Sequence, residues 1–590
     1  MMHILGLNAY HGDSSAAVLV DGQLTAAIEE ERLNRIKHWA GLPVLAAKRC
    51  LALSGGGAVD HVAVSRDPRA NLGRKLLRLL GAMRRPGHAV DRAVNSARIV
   101  RLQDELDANG VPGLANAKLH FVEHHRAHMA SAFFPSPFEE AAVISIDGFG
   151  DFSSVMWGTG RGSRMQIRGA VHFPHSLGLF YTAFTQFLGF PNYGDEYKMM
   201  GLGAYGEPRF VPQIRQLIRT ERDQIRLNLD YFRHHTDGIQ MTWRAGQPQV
   251  SPVYSRRFVE VFGAPRIPRS EITQTHKDLA ASVQAVLEDC YIALLRFVQK
   301  ESGMSAVCLA GGVALNCVAN GTIFDRTEFR DIYVQPAAHD AGTSIGAALY
   351  VWSEILRKPR RFVMQDVYYG PAYYEDEIRQ ELDESGAPYE RLSEAELVDQ
   401  TARAIADGKI VGWYQGRMEF GPRALGNRSI LADPRRAGMK DILNSRIKYR
   451  EPFRPFCPSI LSERAAEYFE TGYASPFMVM AYKIKPEQQR RIPAVTHGDG
   501  TGRLQTVEKH SNPLYWKLIH RFGELTGVPV LINTSFNENE PVVDTPRQAI
   551  DCFMRTQMDV LVAGPFLLSK TTNREAVRQR DIVFAEQCCG

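Results

Sequence analysis

The chain opens with an apolar run, Ile4 to Asn8, and a polar turn. Two further apolar stretches, AAVLV and LTAAI, then flank Asp21-Gly22. Apolar runs separated by an Asp-Gly pair predict a β-hairpin, because both turn positions favour positive φ. The order strand, acidic-glycine turn, strand recurs around residues 141–173, in AAVISIDGFGDFSSVMWGTGRGSRMQIRGAVHF. Residues 275–300 show the 3.6-residue period of a long amphipathic helix, which leads into a strand and the glycine-rich turn of AVCLAGGVALNCVANG. After DIYVQPAAHDAGTSIGAALYVWSEI the composition changes at RKPRR, residues 357–361, which predicts a linker. A length of 590 residues exceeds what one core usually serves, so two domains are expected, 1–360 and 366–590. The basic stretch from Arg66 to Leu106 is expected to form a pair of surface helices with solvated arginines, with membrane or RNA contact as the alternative.

The repeated hairpin unit suggests a duplicated α/β architecture of the actin-like kind, in which nucleotide binds between two similar lobes. Composition changes this picture little. Apolar residues at 44% and charged residues at 23% are ordinary for a globular enzyme, and a net charge of +5 admits anionic substrates without making a case for nucleic acid. The eight cysteines contain no C-x-x-C pair, which favours reduced thiols in a cytoplasmic protein over disulfides or zinc. No secretory leader and no membrane-spanning run of about 18 apolar residues is expected.

Candidate chemistry begins in FVEHHRAHMASAFF. On a helix, His124 and His128 lie one turn apart on one face, with Cβ atoms about 5–6 Å apart, which suits two imidazoles on one metal. Asp147, ending a strand in VISIDG, and Asp340, before a helix in AAHDAGTS, would complete a His₂Asp₂ set suited to Fe(II), Mn(II) or Zn(II). A hairpin-turn role for Asp147 and an N-cap role for Asp340 compete with ligation, and His125 and His339 compete as ligands. The turn LAGGVALNCVANG, with Gly311, Gly312, Asn316 and Asn320, offers backbone N–H groups to a phosphate. Beyond residue 400, arginines stand among glycine, proline and aromatic residues rather than interleaved with carboxylates. GRMEFGPRALGNRS holds Arg417, Arg423 and Arg428; IKYREPFRPF holds Lys448, Arg450 and Arg454; GRLQTV holds Arg503; LINTSFNENEP holds Ser535 and Asn537. Fixed guanidinium forks of this kind suit phosphate or carboxylate, with arginines bridging the two domains as the structural alternative.

Together with HGDSSAAVLVDG, EEERLNRIKH, FPHSLGLFYTAFT and EYKMMGLGAYGEP, these motifs resemble the NodU/CmcH family of O-carbamoyltransferases along essentially the whole chain. The resemblance implies an N-terminal actin-like, TsaD-like ATPase fold and a C-terminal YrdC-like domain of mixed α/β and α+β character. It implies that the C-terminal domain makes carbamoyladenylate from carbamoyl phosphate and ATP. The N-terminal domain then passes the carbamoyl group to a hydroxyl of a small molecule beside a divalent metal, Fe(II) in the family, with Mg(II) as a companion of ATP. Carried over residue by residue, the metal ligands are His124, His128, Asp147 and Asp340, and carbamoyl phosphate falls to Lys448, Arg454, Arg503 and Ser535. Arg423 and Arg428 join the nucleotide side. Lys37 approaches the transfer site, with His11 or Asp13 as the base. Gly12 separates His11 from Asp13 where the family has them adjacent, and NTSFNENEP lacks the glycine of the family's RGEP version. A tRNA-threonylcarbamoylation enzyme and an actin-fold kinase are the rival readings. No membrane or nucleic-acid partner is expected, and a homodimer stays open.

Overall fold

A computed structural model describes residues 1–75, 99, 101–237, 241–244 and 246–570. Most of the predicted basic helix pair, and Cys588 and Cys589, lie outside the described residues.

The apolar repeat becomes two sheets with the same topology. In the first, β1 (His3–Asn8), β2 (Ser15–Val20) and β3 (Gln23–Glu29) form an antiparallel meander, and β4 (His61–Val64) and β5 (Lys118–Phe121) add in parallel beyond β1, giving the order β3-β2-β1-β4-β5. In the second, β6 (Glu140–Gly150), β7 (Ser153–Arg161) and β8 (Arg164–His172) are the meander, and strands Ala306–Ala310 and Asp331–Val334 add in parallel beyond β6. Both lobes therefore show three antiparallel strands followed by two parallel ones, the duplicated actin-like pattern.

The hairpin turns show where the repeat is imperfect. Asp21 (φ 48°) and Gly22 (φ 84°) form the expected two-residue turn between β2 and β3. In the second lobe the turn falls at Asp151 (φ 46°) and Phe152 (φ 77°), not at Asp147-Gly148. Strand β6 runs on through Asp147 and bulges there: Ile146 pairs with Val155 and Gly150 with Ser153, so three residues oppose one. A bulge re-aims the side chains it carries.

Two buried helices lie between the lobes. His124–Phe133 is buried on nearly every face, and Thr343–Tyr350 is buried from Thr343 to Leu349. They touch where Gly346 meets the helix before it; a Cβ there would sit 1.8 Å from the Ala127 carbonyl. The amphipathic segment forms helix Gln274–Ser302, started by a Thr273–His276 capping box and ended by Gly303 in the left-handed region.

The C-terminal part is a mixed nine-stranded sheet. Its central strands are Val411–Tyr414, Arg428–Ala432, Val530–Ser535, Cys457–Leu461 and Thr501–Val507, with Met480–Lys483 at one edge. One buried apolar cluster runs through both lobes and into this sheet, and a second, containing Trp413, Tyr515 and Phe522, belongs to the C-terminal part. The RKPRR segment is tied down rather than loose. Arg360 donates to the carbonyls of Phe134, Ser136 and Phe138 beyond the end of the histidine helix, where free carbonyls favour a cation.

Candidate metal centre and anion site

The histidine helix starts at His124, with Glu123 accepting the Arg126 N–H as its cap. Asp151 of the second hairpin turn accepts the His124 backbone N–H at 3.0 Å, fixing the helix against β6. No side chain fits at Gly150, where a Cβ would lie 1.9 Å from the His124 ring. These constraints aim both Nε2 atoms at the β6 bulge and at Asp340, which sits in the tight turn before Thr343–Tyr350.

His124, His128, Asp147 and Asp340 thus converge from three elements. The Nε2 atoms are 3.1 Å apart. Each lies 3.3 Å from Asp147 Oδ2 and 3.4 Å from Asp340 Oδ1. A metal about 2.0–2.1 Å from four tetrahedral donors sets those donors about 3.3–3.4 Å apart, so the cluster has the dimensions of a ligand set. Burial pushes both carboxyls up, but the facing imidazoles more than reverse it and hold Asp340 and Asp147 below the usual range. Burial works against charge on His124 too, yet the two carboxylates lift it well above an ordinary histidine. His125 points away. Its Nδ1 meets Ser145 Oγ at 2.9 Å, and burial among the other imidazoles drives it down to about 3. His339 turns to Glu29, 3.3 Å away.

Several other candidates surround these ligands. His11 Nδ1 bonds to Asp340 Oδ2, and its ring lies 4.8 Å from that of His124, so it fixes a ligand's outer oxygen. Gly312 N–H donates to Asp147 Oδ1 at 3.0 Å, which places the glycine-rich turn behind this carboxylate. Asp13 Oδ1 accepts from His38 Nδ1 at 2.7 Å, and Tyr193 OH reaches Asp340 Oδ2 at 3.5 Å. Gly12 makes room for that tyrosine, since a Cβ would lie 2.3 Å from its hydroxyl. His38 carries no signal of its own beyond the motif RIKH, and Tyr193 lies just before the motif EYKMMGLGAYGEP.

The C-terminal cations form a second cluster. Lys448 is 1% exposed, and its Nζ donates to the Ser535 carbonyl (2.6 Å), the Asn537 carbonyl (2.7 Å) and Asn537 Oδ1 (2.8 Å). Burial and Arg450 hold its ammonium well below the usual range. Burial with Arg454 brings Arg450 down to about 9, and burial with Arg503 brings Arg423 to about 10. Among the described residues, the ion pair in this group is a long one, Arg454 to Glu451 at 3.8 Å. Ser535 Oγ donates to Asn537 Oδ1 at 2.7 Å. The cluster faces the N-terminal part: Arg454 stacks 4.6 Å over the Tyr197 ring, and exposed Lys37 is within electrostatic reach of Arg454.

Other candidates do not join it. Arg428 is fully buried, stacks 3.9 Å over Tyr414 and donates to the carbonyls of Gln415, Gly416 and Asn427. Arg417 spans the two parts, bonding the carbonyls of Thr25 and Tyr369. Asn320 spends its amide on Tyr291 OH and the carbonyls of Ala314 and Val479, and Asn316 pairs with Gln284. These side chains are occupied in holding the fold.

One part thus holds a cluster with the dimensions of a metal site and the other a buried group of cations; comparison with known proteins gives the class. The description "Carbamoyltransferase N-terminus" matches residues 100–349, and "Carbamoyltransferase C-terminus" matches 402–570. An uncharacterized protein of Synechocystis sp. is 41% identical, covering 100% of this chain and 99% of its own. Nodulation protein NolNO of Sinorhizobium fredii is 39% identical over 96% of this chain and 80% of its own; nodulation protein NolO of Bradyrhizobium diazoefficiens is 42% identical over 76% and 79%. The chain belongs to the carbamoyltransferase family. No helix among the described residues is long and apolar enough to cross a membrane.

Proposed function

We propose that this protein is an ATP-dependent O-carbamoyltransferase with two divided half-reactions. Carbamoyl phosphate, ATP and water give carbamoyladenylate, phosphate and pyrophosphate in the C-terminal part, 366–590, and the carbamoyl group passes to a small-molecule hydroxyl in the N-terminal part, 1–360, with AMP leaving. The observation that carries this reading is the buried cation group of Lys448, Arg450, Arg423 and Arg503, which has almost no carboxylate to balance it. Buried charge without a counter-ion is costly, so such a group calls for an anionic ligand.

Arg454 and Arg503 hold the phosphate as charge-assisted donors, while Lys448, its three donors spent on Ser535 and Asn537, sets that loop and adds its charge beside them. Gly311 and Gly312 border the transfer site behind Asp147. A divalent metal held by His124, His128, Asp147 and Asp340 would supply Lewis-acid polarisation of the carbamoyl group. His11 and Tyr193 fix Asp340, while Lys37 lies within electrostatic reach of Arg454. The acceptor proton falls to His38, seated by Asp13. Burial pushes His38 down, but Asp13 more than reverses it, to about 9, so the neutral ring that can accept a proton becomes populated only as pH approaches that value. The test is pyrophosphate release from ATP. Release that depends on carbamoyl phosphate, without ADP, supports the scheme; ADP formation or indifference to carbamoyl phosphate overturns it.

A further inference from the structure

The loop that carries Arg454 rests on a short segment of the N-terminal part. Helix Glu196–Gly203 buries Met199 and Leu202 in the core, which leaves Tyr197 and Gly201, one turn apart, on the other face. That face meets the loop in register. The Phe190 and Phe453 rings lie 6.3 Å apart, the Arg454 guanidinium lies 4.6 Å over the Tyr197 ring, and a Cβ on Gly201 would come 3.3 Å from Pro455 Cδ. The Arg454 side chain is 18% exposed, yet among the described residues its guanidinium donates no hydrogen bond, and its ion pair is the long one to Glu451 at 3.8 Å. Arg428, stacked in the same way over Tyr414, uses its donors on the carbonyls of Gln415, Gly416 and Asn427. A ring under the flat face of a guanidinium holds the cation and leaves its five in-plane N–H donors free, whereas a carboxylate or carbonyl takes them up. Tyr197 is also within electrostatic reach of Arg450 and Arg423, so it stands among three cations of the anion site.

We propose that Tyr197 is a positioning residue for Arg454: the part that bears the metal cluster supplies the floor of the anion site in the other part and holds the Arg454 fork open for the phosphate of carbamoyl phosphate. Stacking restrains the guanidinium before the ligand arrives, so less rotamer freedom is lost when the fork closes on two phosphate oxygens. The ring does this and the phenol hydroxyl does not. Phosphate therefore reaches its full affinity only with helix Glu196–Gly203 lying against the loop. The identity of the ligand rests on the function proposed above; the floor under Arg454 does not.

Calorimetry with inorganic phosphate on the full chain tests this. Tyr197→Leu should weaken phosphate about 5- to 30-fold, the loss of a partly desolvated cation–π contact, while Tyr197→Phe should bind within about twofold of wild type. A role exercised through Arg454 is non-additive, so Arg454→Ala combined with Tyr197→Leu should bind no more weakly than Arg454→Ala alone. In pyrophosphate release, Tyr197→Leu should raise the KM for carbamoyl phosphate by the factor seen for phosphate and leave kcat in place. Wild-type affinity in Tyr197→Leu beside a weakened Arg454→Ala would overturn the inference and leave the proposed function standing, as would penalties that add in the double variant. Wild-type protein that binds no phosphate would remove the anion site and the inference with it. The expected binding pattern without carbamoyl-phosphate-dependent pyrophosphate release would instead sink the function and keep Tyr197 under Arg454. If Tyr197→Leu does not fold, Tyr197→Met carries the same comparison.

Discussion

The two clusters are opposites in charge. Around His124 and His128, two carboxylates close on two imidazoles, so with neutral rings the site carries excess negative charge and fits a cation. Around Lys448 and Arg450, positive charge is buried against carbonyls and an amide, so the site fits an anion. The first is drawn from two buried helices and a strand bulge and is rigid by packing; the second lies where the C-terminal sheet meets Tyr197 and Lys37. That difference in sign suits one cluster to a cation and the other to an anion.

Breaking one site should spare the other's half-reaction. His128→Ala should lose the bound metal and carbamoyl transfer while still releasing pyrophosphate in the presence of carbamoyl phosphate. Elemental analysis and a pyrophosphate assay read the two effects, and equal metal content in mutant and wild type would remove the ligand assignment. Arg454→Ala should weaken carbamoyl phosphate about 10- to 150-fold, the effect of about 1.5–3 kcal/mol for a charge-assisted bond, as read by calorimetry. It should still transfer from synthetic carbamoyladenylate.

Ligand loading sharpens the same contrast. Phosphate at about a hundred times its dissociation constant should stabilise the protein by about 2.7 kcal/mol in thermal denaturation. That gain should fall to about 0.3–1.4 kcal/mol in Arg454→Ala, for a 10- to 150-fold loss of affinity, and survive in His128→Ala; the reverse pattern would exchange the two sites. A pH series separates them again. The folded-state value of His38 lies above that of a free histidine because of Asp13, so at neutral pH the ring is charged and cannot accept a proton. Transfer from supplied adenylate should therefore rise up to about tenfold per pH unit below about pH 9, with activation not following it. A transfer rate flat from pH 7 to 9 would take the base role from His38. The smallest effect belongs to the fold-holding side chains. Asn320→Ala should cost about 1–3 kcal/mol of stability in denaturant unfolding, with the KM for ATP unchanged. A raised KM would return Asn320 to the nucleotide.

Local pattern carried the architecture well, because hairpins and amphipathic helices are written in nearest-neighbour preferences. The Asp21-Gly22 turn and helix Gln274–Ser302 fall close to where periodicity and turn chemistry put them. The His124–His128 spacing, too, needs only a helix to bring both rings to one face. Asp147-Gly148 misled because an acidic-glycine pair suits a turn and a bulge alike, and the choice depended on β7 pairing across it.

What the sequence by itself determined was the repeated lobe, the one-turn histidine pair and the unbalanced arginines, all set by residues near one another in the chain. Which arginine meets a ligand and which meets a carbonyl was decided only in three dimensions. Arg423, Arg428 and Arg417 share one short motif, yet Arg423 faces Arg503, Arg428 is sealed over Tyr414 and Arg417 reaches back to Thr25. The same holds for His11, which meets Asp340 across 329 residues. A side chain's role follows from what packs against it, and for these residues the partners arrive only when distant strands and helices close on one another.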